Sequence, residues 1–91
     1  MAVTVRIPTT LRKLAAGADH VTLEASTVGA VFDQMKAHHP DLAAQLLDEN
    51  GKVRRFVNIF ANDEDIRFLD NLDTPLNDGD EVMLVPATAG G

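Results

Sequence analysis

The stretch "DNLDTPLNDGD", residues 70–80, decides the fold by what it leaves out. Pro75 and Gly79 mark it as a loop of turn residues that cannot supply a full helix. Directly after it, "EVMLVP" (81–86) reads as a near-continuously apolar strand, the pattern of a central strand buried on both faces. Working backwards, "IRFL" reads as a short strand or extended piece, "DED" (63–65) as a solvated polar turn, and "RRFVNIFAN" as the strongest strand signal in the chain. Before that, "STVGAVFDQMKAHHP" changes the period. Val28, Val31, Phe32 and Met35 recur at helical spacing, Ser26 or Thr27 can cap the start, and Pro40 stops the helix. "DLAAQLLDENG" reads as a second, short helical piece ending at Gly51. At the N-terminus, Val3, Val5 and Ile7 alternate, as do Val21, Leu23 and Ala25, so two strands form a hairpin across a longer turning segment.

The order is therefore strand, strand, helix, short helix, strand, short strand, strand. That describes an α+β domain: a mixed sheet with one main helix packed on one face. A ferredoxin-like domain needs a second full helix before its last strand, and residues 70–80 cannot supply it. A ubiquitin-like β-grasp over residues 1–91 is the expected fold, with 86–91 as an extended tail.

Composition narrows the function. Ninety-one residues suffice for one core but not for a deep catalytic cleft with its scaffold. Fourteen acids against eight bases give a net charge of −6, opposite to the basic footprint of a nucleic-acid binder. Either solubility or a basic docking partner accounts for that charge. With no cysteine there is no disulfide framework and no thiolate metal site. No stretch approaches the ~20 apolar residues of a membrane span, nor does the N-terminus resemble a signal peptide, so a cytoplasmic location and no membrane contact are expected.

No catalytic or metal set emerges. His38 and His39 are adjacent, so on a helix they diverge by about 100° and cannot share one ion. The "NDGD" segment resembles a calcium loop only superficially. With Gly79 at the sixth position, Thr74, Leu76 and Val85 fall where carboxylates are required. No carboxylate sits with a histidine and a nucleophilic hydroxyl in a recognisable arrangement.

The remaining feature is the end, "VPATAGG" (85–91). Five extended residues, Ala87, Thr88, Ala89, Gly90 and Gly91, reach about 17 Å. They carry no bulky side chain, and glycine admits backbone angles other residues avoid, so such a segment can thread a narrow channel. Its last group is a carboxylate, which needs activation, for instance as an adenylate, before it can serve as an acyl donor. A fraying terminus is the competing reading.

The segment "FVNIFANDEDIRFLDNLDTPLNDGDEVMLVPATAGG" resembles the C-terminal half of the ThiS/MoaD family of small sulfur carriers. The shared features are "VN" in the third strand, a polar turn, the "L..PL.DGDEV" loop, an apolar strand with proline, and Gly-Gly at the end. Within that family "RFVNI..NDEDIRF" is most similar to the carriers of cysteine biosynthesis. Molybdopterin-type members often carry two prolines before the tail, whereas here Pro86 is followed by Ala87. The resemblance implies a carrier without catalysis of its own, binding no cofactor and monomeric alone. An E1-like enzyme would use ATP and magnesium to adenylate Gly91, sulfur would replace AMP to give a thiocarboxylate, and residues 87–91 would enter the active site of a sulfur-accepting enzyme such as a cysteine synthase. A ubiquitin-like modifier that joins lysines, or a binding subunit with an incidental Gly-Gly, are the alternatives; thiazole and molybdopterin are the other destinations for sulfur.

Strand alternation also suggests where partners dock. If Val3, Val5 and Ile7 face the helix, Pro8 falls on the opposite sheet face. In the third strand Val57, Ile59 and Ala61 share one face and Phe56, Asn58 and Phe60 the other. Val82 and Leu84 alternate with Met83 and Val85. Pro8, Phe60, Met83 and Val85 are thus expected to form an apolar patch beside the tail, unless sheet twist or a loop covers them.

Overall fold

The computed structural model describes residues 1–55 and 57–86. Five strands form one mixed sheet: β1 (Ala2–Arg6), β2 (His20–Glu24), β3 (Val57–Ala61), β4 (Glu64–Asp65) and β5 (Glu81–Pro86), in the spatial order β2-β1-β5-β3-β4. β1 and β5 run parallel, and every other neighbouring pair is antiparallel. Two helices, α1 (Val28–His38) and α2 (Pro40–Leu46), pack on one side. This is the expected β-grasp.

The core follows from period. On α1 the apolar stripe Val28, Val31, Phe32 and Met35 is buried, and it meets Val3, Val5 and Ile7 from β1 and Val82 and Leu84 from β5. Thr27 caps the helix, its hydroxyl accepting from the Ala30 amide at 3.1 Å. Pro40 ends α1 and also opens α2, where its missing N–H costs nothing.

The loop 70–80 crosses the N-terminus of α1. Its Thr74 carbonyl accepts from the Val28 amide at 3.1 Å, and the Leu76 amide donates to the Ser26 carbonyl at 2.8 Å. Gly29 makes this approach possible, since a Cβ there would stand 3.1 Å from the Leu72 carbonyl oxygen. The "NDGD" carboxylates organise backbone rather than an ion. Asp78 accepts from the Ala2 amide at 2.8 Å and Asp80 from the Asn77 amide at 2.7 Å, laying β5 alongside β1.

Five details depart from the sequence reading. β5 is central but not buried on both faces: Val82 and Leu84 are inside while Met83 is exposed, because the helices form a single layer. The partner of β3 is Glu64–Asp65, and Ile66–Phe68 is a 3-10 turn rather than a strand. The chain reverses at Asn62 and Asp63, both at positive φ, as a two-residue hairpin turn requires. Of "DED", Asp65 is not solvated; its side chain is only 9 % exposed, covered by Arg67. Finally, α2 ends at Leu46, not near Gly51. The Asp48 carboxylate there accepts from the amides of Asn50 and Lys52, a side-chain-made turn that competes with helix continuation. The link between β1 and β2, read only as a turning segment, contains a 3-10 helix, Thr9–Ala15.

Candidate functional site

The site grows out of β5. Pro86, which the sequence reading assigns to the tail, closes this strand opposite Val57 of β3. Ala87, Thr88, Ala89, Gly90 and Gly91, expected to carry the chemistry, lie outside the described residues, as does Phe56. The strand that leads to them is paired with β1 over Glu81–Met83 and with β3 over Val82–Pro86, so the root of the tail is held by β3.

The helix-free face of the sheet can be read from the register. Thr4 of β1 pairs with Glu81, Val5 with Val82 and Arg6 with Met83. Across the other side of β5, Phe60 pairs with Met83 and Asn58 with Val85. Of the expected patch, Phe60 and Met83 are therefore neighbours, Met83 at 37 % exposure and Phe60 half-buried. Pro8, Met83 and Val85 line one shallow depression of about 490 Å³, together with Arg6, Arg12 and Pro86. Phe60 does not line it but adjoins it through Met83.

Charged groups rim this face. Arg6 reaches back along β5 to Glu81, Nε to Oε2 at 3.1 Å. At the other margin Arg67 grips Asp65, with Nη2 2.8 Å from Oδ2 and Nε 3.2 Å from Oδ1, while the same Nη2 donates to Asn58 Oδ1 at 2.8 Å. The guanidinium and the Arg67 amide hold the Asp65 carboxyl below the usual carboxylate range, and the carboxylate in turn raises Arg67. Sequence reading missed this pair, since it requires knowing that the hairpin turn falls at 62–63 and brings residue 65 beside residue 60. It also missed Phe68, 83 % exposed at the end of the 3-10 turn. That ring stands apart from the Met83 depression.

Nothing catalytic assembles among the described residues. No group of three or more His, Cys, Asp or Glu is placed to hold a metal ion there, and no helix is long and apolar enough to cross a membrane. His38 stands in the last turn of α1 and His39 caps it.

Comparison with known proteins places this geometry in a family. Residues 5–91 match the model of the ThiS family. Over their whole lengths, the chain and the sulfur carrier protein CysO of Mycobacterium tuberculosis are 45 % identical. Small archaeal modifier protein 3 of Haloferax volcanii is 39 % identical over 66 residues, covering 72 % of this chain and 71 % of the relative. Among solved structures, a chain of the BexX/CysO complex of Amycolatopsis orientalis superposes with a TM-score of 0.89 at 40 % identity, covering 98 % of this chain and 99 % of the other. A β-grasp whose central strand leads to Gly-Gly, matched in this way along nearly its full length, belongs to the ThiS family and is a homologue of the sulfur carrier CysO.

Proposed function

We propose that this protein carries sulfur as a thiocarboxylate on Gly91 and delivers it in cysteine biosynthesis. The observation that carries the reading is the full-length match to a sulfur carrier, at 45 % identity with nothing left over on either chain. A Gly91 carboxylate oxygen attacks the α-phosphorus of ATP on an E1-like enzyme, and magnesium pyrophosphate leaves. A sulfide-level donor then displaces AMP, leaving sulfur on the acyl carbon. The tail, residues 87–91, next enters a sulfur-accepting enzyme, where the sulfur acts as nucleophile. ATP and magnesium belong to the activating enzyme, and the domain contributes recognition. Its helix-free face, with Met83 and Phe60 adjacent and Pro8 and Val85 beside the root of the tail, is the surface such partners would meet.

Deleting Gly91 tests this directly. ATP–pyrophosphate exchange with the activating enzyme should fall to background while the melting temperature stays unchanged. Continued AMP transfer to the shortened chain would falsify the reading. Thiol-selective labelling with high-resolution intact mass should find sulfur on the C-terminal peptide, since oxygen-to-sulfur exchange and oxidation both add about 16 Da. The similarity to a small archaeal modifier favours a second reading, conjugation to lysines. Higher-mass adducts of this chain in lysates of its own cells would support that reading, and only the free carrier would count against it.

A further inference from the structure

Half of the eight basic residues of this acidic chain border one cleft. Lys52, Arg54, Arg55 and Arg67 line a depression of about 470 Å³ between the segment that precedes β3 and the 3-10 turn that follows β4. One carboxylate, Asp65, also lines it and is already engaged by Arg67. The cleft is therefore net positive on a chain of net charge −6. Its floor is apolar: Val57 and Ile66 from the edge of the core, with Leu72 across from them. Among the described residues, β4 pairs only Phe60 and Ala61, so the outer side of Val57–Ile59 has no strand against it. This cleft is separate from the Met83 depression and shares no lining residue with it.

We infer that this cleft binds an extended acidic segment of a partner protein, its carboxylates on Arg54, Arg55 and Lys52 and an apolar side chain on the floor. Arg54 is partly anchored, its Nη2 donating to the Ala44 carbonyl at 3.2 Å, whereas Lys52 and Arg55 are exposed. Guanidinium groups pair with carboxylates in a fixed fork, and the cluster concentrates positive field where the rest of the surface repels acidic partners. Among the described residues that line it, none is an aromatic ring to stack a base and none a glycine to let backbone close on a phosphate, which favours a peptide over a nucleotide. Position argues for a protein: Val57 on the floor is the register partner of Pro86, so any protein that receives the tail comes up beside this cleft. The assignment does not depend on what Gly91 carries.

The test is titration of the full-length, ¹⁵N-labelled protein, followed by amide shifts, with acetyl-Glu-Leu-Glu-Leu-Glu-amide, its lysine counterpart, AMP and inorganic phosphate. The glutamate peptide should give saturable shifts centred on residues 52–57, 65–67 and 71–72, and the lysine peptide none there. Arg54→Gln with Arg55→Gln should weaken the glutamate peptide about tenfold or more, as loss of a charge-assisted hydrogen bond implies. Lys13→Gln, outside the cleft, should leave it unchanged. Arg55→Gln alone, at an exposed position, serves should the double variant unfold. Absence of saturable shifts, equal response to the lysine peptide, unchanged affinity in the arginine variants, or matching shifts from AMP or phosphate would each overturn the assignment.

Discussion

Within β5, consecutive residues live in different environments. Val82 and Leu84 are fully inside, while Met83 is exposed and Val85 half-buried, though all four belong to one six-residue strand. The period of two separates environments at single-residue spacing: one set of side chains holds the sheet to α1, and the other lies on the helix-free face proposed to meet partners. A uniformly apolar strand would normally mean burial on both sides. Here it marks a strand with a core on one side and an apolar surface on the other.

The contrast can be broken most forcefully from the inside. Leu84→Ala should lower unfolding free energy by about 3 kcal/mol in a denaturant titration, because the buried site cannot fully collapse around the cavity. If the loss were under about 1 kcal/mol, the assignment of the two faces would be wrong. A smaller effect is expected at the margin. Asp65→Asn removes the charge that Arg67 grips, and since Arg67 is exposed the loss should be modest. The sign with pH is fixed by the lowered folded-state pKa of Asp65. Its contribution is present above the ordinary value of 3.8 and fades as pH falls through the lower folded value. Wild type and variant should therefore differ at pH 7 and converge in acid; a constant gap would point to lost packing instead. The smallest change in stability should come from the outer set. Met83→Glu should shift unfolding by no more than about 0.5 kcal/mol, as a surface change does, while weakening capture by a tail-accepting partner. Loss of both fold and binding would show that Met83 supports the core.

Much of this architecture was legible in the residues, because alternation and helical spacing are local. Val3, Val5 and Ile7, the stripe Val28–Met35 and the loop 70–80 report their roles without knowledge of neighbours. What stayed hidden depends on pairing across the sheet. Burial of Asp65 requires the turn at Asn62–Asp63 to have two positive-φ residues, and neither is the glycine that ordinarily signals it. Lys52, Arg54 and Arg55 form a basic run in the sequence, but their meeting with Arg67 is not legible there, because Asp63, Glu64 and Asp65 lie between them and only the fold closes that gap. The Gly-Gly end stands out in the sequence by position alone and needs no partner strand to be noticed.

Placing β5 between β1 and β3 also couples the Gly-Gly end to the order of synthesis. β1 and β3 are not neighbours, and neither acquires its central partner until residues 81–86 exist. Pairings such as Val5 with Val82 span most of the chain and are slow to form compared with local ones. A nascent chain that stops before residue 81 keeps two open strand edges, the form of a sheet most prone to mispairing. The segment that closes the sheet is also the one that leads to Gly91, so a chain too short to close the sheet also lacks the proposed attachment residue.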